Sequence, residues 1–514
     1  MNPKPWYATL LRPAAVIAGV AVCSKLFQAG GGILLAHKFG ACRATDAYLL
    51  AKSLPIGLYL VADSLLYNSV VPVYRRHQHP DHVLRDFLGG VSVVCGLLAV
   101  AIVAALAVAA PAIMRYLAPG SAPETIRLAG ALCRLTCLGV LTALPASLLK
   151  SVNACHDRYV LASLDSFVMS AVLIAVLLAS PARWGIWPVA GALPVSCAIL
   201  FTIQLVAARR EVPRPRASWR NPLLAELAGL VAPLIAFNGL HQVNVIAMNA
   251  FMSRVGDGAI SWLNYSYNIG QIPVSLIDLV LLSTLFPFAA ALASNQDTDT
   301  VRRAFQAVAK LVVLALVPAS LWVILMRREL VQLILEHGEF GVEATQGTTA
   351  CLIGIGLAIT PWALDTLAYR CLFALKRHGA YARIVAARVA LNVGLCALLV
   401  GRYGAMGVGF AFGASFVLGA ALSARAIGRA LPGPAPLARP WCLGSVALAF
   451  LGAAAVATAH MAIERIVRGA GEGQSALSLL AWNASAACFA VALVYGAGAL
   501  TAGRRKTPRT GLEA

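Results

Sequence analysis

Apolar positions in this chain come in long runs rather than in the alternating or one-sided patterns of soluble strands and helices. About twenty consecutive apolar residues are needed to cross a bilayer. By that measure the runs at 13–35, 47–73, 87–110, 127–149, 159–180, 186–207, 225–250 and 260–290 are transmembrane helices, as are those at 308–326, 347–372, 381–400, 404–424, 441–463 and 477–500. The pattern predicts an all-α polytopic membrane protein of about fourteen helices with short links. Before the last two helices, RALPGPAPLARP (429–440) is too rich in proline to continue a helix.

Charge tests the count. Of the 514 residues, 60% are hydrophobic and only 12% charged, against about 25% charged in a soluble domain. With both termini placed in the cytoplasm, fourteen helices put about 25 Lys and Arg inside and about 11 outside, as the positive-inside rule expects. An odd count scrambles that asymmetry. The net charge of +20 is therefore explained by topology, without nucleic acid. The run at 13–35 is too long for the apolar core of a cleavable signal and reads as the first span.

The chain also repeats itself. ADSLLYNSVVP (62–72) resembles IDLVLLSTLFP (277–287), and LPASLLKSVNA (144–154) has a looser echo in TPWALDTLAYRCLFA (360–374). Near-constant offsets of 215 to 218 residues predict two pseudo-symmetric six-helix lobes of like orientation, 1–220 and 221–428. The linker 429–440, helices 13 and 14 within 441–503 and a basic cytoplasmic tail 504–514 complete the plan.

Nine charges remain at membrane depth once the loops are assigned: Lys25, Lys52, Arg134, Arg370 and Arg388, with Asp63, Asp165, Asp278 and Asp365. Each costs roughly 2.5–3.5 kcal/mol if it faces lipid, so the set points to a polar cavity, with Lys52 and Arg388 near enough to helix ends to snorkel. Asp63 and Asp278 occupy equivalent places in the repeat, which favours the cleft between the lobes over a helix cap or a bond to a neighbouring helix. GGG at 30–32 reads as an interruption of helix 1, and Gly409 and Gly413 as a close-packing seam. No lysine follows a glycine, which excludes a P-loop, and no loop holds a catalytic domain. Cys133 and Cys137 share a helix face without histidine at zinc-ligand spacing, so neither an enzyme nor a metal site is expected. Any transport is driven by a Na+ or H+ gradient, the membrane potential or mass action, without a bound cofactor.

FGACRATDAYLLAKSLP (39–55), CSK (23–25), SWLNYSYNIGQIP (261–273) and LEHGEF (335–340) resemble the MurJ (MviN) lipid II flippases of the multidrug/oligosaccharidyl-lipid/polysaccharide superfamily. The resemblance covers roughly residues 10–430. It implies two lobes around a central cavity, a lipid-tail groove from helices 13 and 14, and an undecaprenyl-diphosphate-linked saccharide as cargo. It also implies a bacterial inner-membrane location, membrane lipids and envelope-synthesis enzymes as partners, and no nucleic acid. By the same resemblance Lys25 stands where the family has a cavity arginine and Asp46 matches the aspartate of the TDA motif, unless it only caps helix 2. Three further family arginines fall at Gly31, Tyr59 and Asn268, all neutral here. Lys52, Arg134 and Arg370 are the candidates to replace them. The candidate cavity set is thus Lys25, Asp46, Lys52, Tyr59, Asp63, Arg134, Asn268, Asp278, Asp365 and Arg370. Two other readings stay open: a cation-coupled drug antiporter of the same superfamily, and a non-transporting scaffold for envelope-polysaccharide enzymes.

Overall fold

The computed structural model describes residues 6–76, 81–209, 222–275, 298–375 and 377–431, together with residue 277 and part of 451–460. Helices account for nearly all of it, and the described residues contain no strand. In chain order they are α1 (Trp6–Phe39), α2 (Arg43–Arg76), α3 (Asp81–Leu117), α4 (Pro123–Thr136), α5 (Gly139–Cys155), α6 (Tyr159–Ala162) and α7 (Asp165–Ala179). After these come α8 (Trp187–Ala208), α9 (Pro222–Met252) and α10 (259–275). The last described are α11 (Thr298–Leu325), α12 (Arg327–Ile334), α13 (Val342–Ala374) and α14 (His378–Ala430). Seven are each long and apolar enough to cross a membrane, and the bent pair α4–α5 makes an eighth.

Each of the first twelve predicted spans has a helical counterpart, while predicted helices 13 and 14 lie almost wholly outside the described residues. The counterparts differ from the prediction in four places. The fourth span bends by 44° between α4 and α5, where Thr136 and Cys137 turn their side chains back onto the carbonyls of Cys133 and Arg134. The fifth is divided into α6 and α7 around Ser163. The eleventh and twelfth run together as α14, broken only at Gly404, whose φ of 52° and ψ of −131° suit glycine alone. The GGG of α1 does not interrupt its helix. A Cβ at Gly31 would stand 3.3 Å from Leu173 of α7, so these glycines let a neighbouring helix approach.

The packing falls into two groups. In one, α1 packs on α7, α2 and α3 on α4 and α5, and α8 on both α5 and α7. In the other, α13 packs on α11 and α14, and α14 on α9. The closest seam joins α13 to α14: a Cβ at Gly354 would lie 2.0 Å from the Gly409 backbone, and one at Gly413 would lie 2.6 Å from the Gly354 carbonyl. The small-residue seam read at Gly409 and Gly413 is therefore completed by Gly354.

The buried side chains show how the groups meet. One core is shared: Leu35, Leu50 and Leu132 of the first group are continuous with Met252, Ile260, Met326 and Leu352 of the second. Elsewhere the cores are separate, one around Phe87, Leu144 and Leu148 of the first group joined by Leu223 of α9, and one around Leu367, Leu372 and Val385 of the second. The two lobes are thus fused at one end and separately packed at the other, with α9 touching α2, α3 and α14 between them.

Candidate functional site

At the fused end the chain turns back between α1 and α2, and the bonds there cross from lobe to lobe. Asp46, in the first turn of α2, is buried and accepts from the Gly258 N–H at 2.7 Å, the Ser261 N–H at 2.8 Å and the Ser261 hydroxyl at 2.6 Å. A helix N-terminus leaves N–H groups without internal partners and carries partial positive charge, so a carboxylate suits it. Asp46 therefore caps α10 of the other lobe, neither lining a cavity nor capping its own helix. Nearby, the Arg43 Nε donates to Asp257 at 2.7 Å, the Glu339 N–H to the His37 carbonyl at 3.0 Å, and the Gly120 N–H to the Ser253 hydroxyl at 3.0 Å.

Between the lobes, α1, α10, α12 and α13 line an open cavity of about 370 Å³. Its polar lining is Lys25 and Gln28 from α1, Asn268, Gln271 and Ser275 from α10, and Arg370 from α13. The Lys25 ammonium donates to Gln28 Oε1 at 3.1 Å, and the Asn268 amide to Asn264 Oδ1 at 3.4 Å. The rest of the wall is mostly aliphatic, from Val22 to Ile272. One cation from each lobe and a set of amides thus face one space, an arrangement suited to an anionic group joined to hydroxyl-rich matter.

Two ion clusters lie apart from this cavity. In the first lobe Lys150 of α5 donates to Asp63 of α2 at 2.9 Å and also to Asp165 of α7. The Tyr59 hydroxyl is directed to Asp165. In the second lobe Asp365 of α13 accepts from Arg388 at 2.5 Å, from the Tyr381 hydroxyl at 3.0 Å and from the Ser423 hydroxyl at 3.1 Å. The Arg388 guanidinium also lies 4.2 Å from the centre of the Phe416 ring.

Residues 35–468 match the family model described as lipid II flippase MurJ. The chain belongs to the MurJ family. Curated relatives agree with it: the probable lipid II flippase MurJ of Rhizobium meliloti is 24% identical over 371 residues, covering 68% of each chain. The lipid II flippase MurJ of Burkholderia cenocepacia is 21% identical over 364 residues, 68% of this chain and 70% of that one. Among solved structures, the fold resembles a lipid II flippase MurJ in an inward closed conformation, with a TM-score of 0.76, 15% identity, and coverage of 94% of this chain and 99% of that one. A multidrug resistance MATE family transporter in an inward-facing conformation gives 0.62 at 13% identity, covering 81% and 98%.

Against this MurJ fold the candidate residues separate cleanly. Lys25, Asn268 and Arg370 share the inter-lobe cavity. Lys52 lies 4.9 Å over its own helix's Tyr48 ring, and Arg134 is exposed with its Nε on the Ala107 carbonyl at 3.0 Å, so neither lines that cavity. Of the three cations expected to replace the missing arginines, Arg370 alone lines it. Tyr59 and Asp63 belong to the first-lobe cluster instead. Asp365 and Arg388 pair in the interior, 2% and 5% exposed, so Arg388 does not snorkel. Asp278 lies outside the described residues.

The sequence reading missed Lys150, which it had counted with the cytoplasmic loops. A signal was present: in the echo of LPASLLKSVNA by TPWALDTLAYRCLFA, Lys150 and Asp365 fall within one position of each other, with opposite charge. Gln28, Gln271 and Ser275 carried no such signal, since uncharged polar residues are ordinary on transmembrane helices.

Proposed function

We propose that this chain is a transporter that flips a polyprenyl-diphosphate-linked saccharide, lipid II or a related cell-envelope glycan precursor, from the cytoplasmic to the periplasmic leaflet. Membership of the MurJ family supports the class of cargo. The observation that carries the reading in this chain is the pairing of Lys25 and Arg370, one from each lobe, on a single cavity lined otherwise by amides and aliphatic side chains.

The physical argument runs from the cargo. A diphosphate bare in hydrocarbon is prohibitively costly, whereas a cavity with two cations replaces part of its hydration and its counter-ions. Amides offer both donors and acceptors to sugar hydroxyls. The lipid tail needs no such shelter and stays in the bilayer. Movement of the two lobes about the fused end would then expose the cavity to each face in turn, with Asp46 releasing α10 when that end opens. Cations facing the cavity are the wrong sign for a cationic drug. The chain would sit in the bacterial inner membrane with both termini cytoplasmic.

The test is rescue of a bacterium depleted of its own lipid II flippase, with lipid II quantified in the outer leaflet. Rescue that is lost with Lys25→Glu and with Arg370→Glu is the expected result. Failure of the wild type, with the protein present in the membrane, would exclude lipid II and leave another lipid-linked glycan. Full rescue by both charge reversals would overturn the cavity assignment.

A further inference from the structure

The first-lobe cluster holds one ammonium and two carboxylates, and so one negative charge more than it balances. Its three side chains are 14 to 21% exposed, half-shielded rather than sealed. Asp63 Oδ2 accepts from Lys150, yet Asp63 Oδ1 is buried without a hydrogen-bond partner among the described residues, the Ser147 hydroxyl beside it donating to the Ala143 carbonyl at 3.1 Å. The groups acting on Asp63 are Lys150 and Ser147 from α5 and Asp165 from α7, and Tyr59 of α2 and Cys197 of α8 close the far side at Asp165. At Asp365 charge is balanced and both oxygens are bonded, and the orphaned atom is on the cation side, at Arg388 Nε.

We propose that Asp63, held by Lys150 and Asp165, is the proton-binding site through which the lobes' movement is coupled to a proton gradient. The step is a simple addition: a proton from water takes a lone pair of the Asp63 carboxylate at Oδ1, the carboxylate becomes a carboxylic acid, and the cluster's net charge falls from −1 to zero. The proton leaves by the reverse step when the site faces the other side. A proton suits the site better than a metal cation. A hard metal ion needs several oxygen ligands, whereas the Lys150 ammonium already lies between the two carboxylates. One unpartnered oxygen is all that a proton needs.

The placement ties the site to the moving parts. Asp63 and Asp46 are both on α2, seventeen residues and about 25 Å apart along it, so the helix that caps α10 at the fused end also carries the proton. This deepens the flippase reading by naming its coupling ion and rests on that reading for its purpose.

The experiment uses the purified full chain without cargo in lipid nanodiscs, with infrared difference spectra taken between about pH 8 and about pH 5. The wild type should gain the carbonyl stretches of protonated carboxyls, with one component that belongs to Asp63. Asp63→Asn and Asp165→Asn should both lose it, the first by removing the oxygen and the second by leaving Asp63 a balanced partner of Lys150. Asp257→Asn, at the exposed fused end, should keep it. Thermal unfolding shows that each variant is folded. A carbonyl band in folded Asp63→Asn that is identical to that of the wild type would overturn the proposal. Because no cargo is present, a chain that binds this proton yet fails to move lipid II would sink the lipid II reading and leave the proton site standing.

Discussion

The two lobes place an ion cluster on corresponding helices of their repeat and build it in opposite ways. Lys150 on α5 meets Asp165 on α7, and 215 residues later Asp365 on α13 meets Arg388 on α14. The polarity is exchanged between the paired helices. The first cluster has a surplus carboxylate, a partnerless oxygen and side chains that are partly exposed. The second is neutral, and tyrosine and serine hydroxyls complete its carboxylate. A closed, balanced pair holds helices together, while an unbalanced one has a charge to give up. One lobe is accordingly built to stay as it is, and the other to respond.

The largest expected effect is on the closed cluster. Asp365→Asn removes the counter-charge of a guanidinium that is 5% exposed, and breaking one side of a buried pair costs about 3–5 kcal/mol. Thermal unfolding in detergent should show the loss directly. Replacing both partners by apolar residues, Asp365→Leu with Arg388→Met, should recover most of it, because no uncompensated charge then remains. If the double variant is as unstable as the single one, the pair is not what holds α13 to α14.

Next comes the fused end, which the comparison needs as the fixed point about which the lobes differ. Asp46→Ala leaves the buried N–H groups of Gly258 and Ser261 without their acceptor, at about 1–3 kcal/mol each. Since about 1.4 kcal/mol is tenfold, the equilibrium should shift at least tenfold away from the fused state. Distances between spin labels at positions 43 and 257 would report it, and an unchanged distance distribution would remove Asp46 from the gate.

How far the sequence foretold this division depends on what kind of signal each part leaves. Membrane spans were legible because hydrocarbon demands long apolar runs. Bends were not, since the break after Thr136 depends on side chains folding back on carbonyls and that at Gly404 on one residue's ψ. Lys25 and Arg370 were legible as charges with no reason to face lipid, and Asn268 only through the resemblance to the family. Asp46 was legible as a helix cap, but the helix it caps is far away in sequence. Lys150 was misread because a lysine near a span's end satisfies the positive-inside count as well as it satisfies two aspartates. Only the packing of α2, α5 and α7 distinguishes the two.

A smaller effect tests whether bonding, apart from charge, separates the clusters. Ser423→Ala deletes the donor to Asp365 Oδ1 and leaves that oxygen as bare as Asp63 Oδ1. The ion pair with Arg388 survives, so the cost should be about 1–2 kcal/mol, well below that of Asp365→Asn. An effect as large as the charge deletion would mean that the seam to Gly419 and its neighbours, rather than the hydroxyl, had been disturbed.

The smallest expected effect is the most telling. Asp165→Asn removes a carboxylate that already shares its only cation, and the cluster left behind is a neutral Lys150–Asp63 pair. Removing the surplus charge relieves what costs most in a membrane, so unfolding should move by less than about 1 kcal/mol, in either direction. The equivalent deletion in the other lobe costs several times more. A folded, stable Asp165→Asn that no longer moves cargo would show that the surplus charge is kept for work and not for stability. Destabilisation as large as that of Asp365→Asn would show instead that both clusters are structural pins, and the contrast between the lobes would then be one of exposure alone.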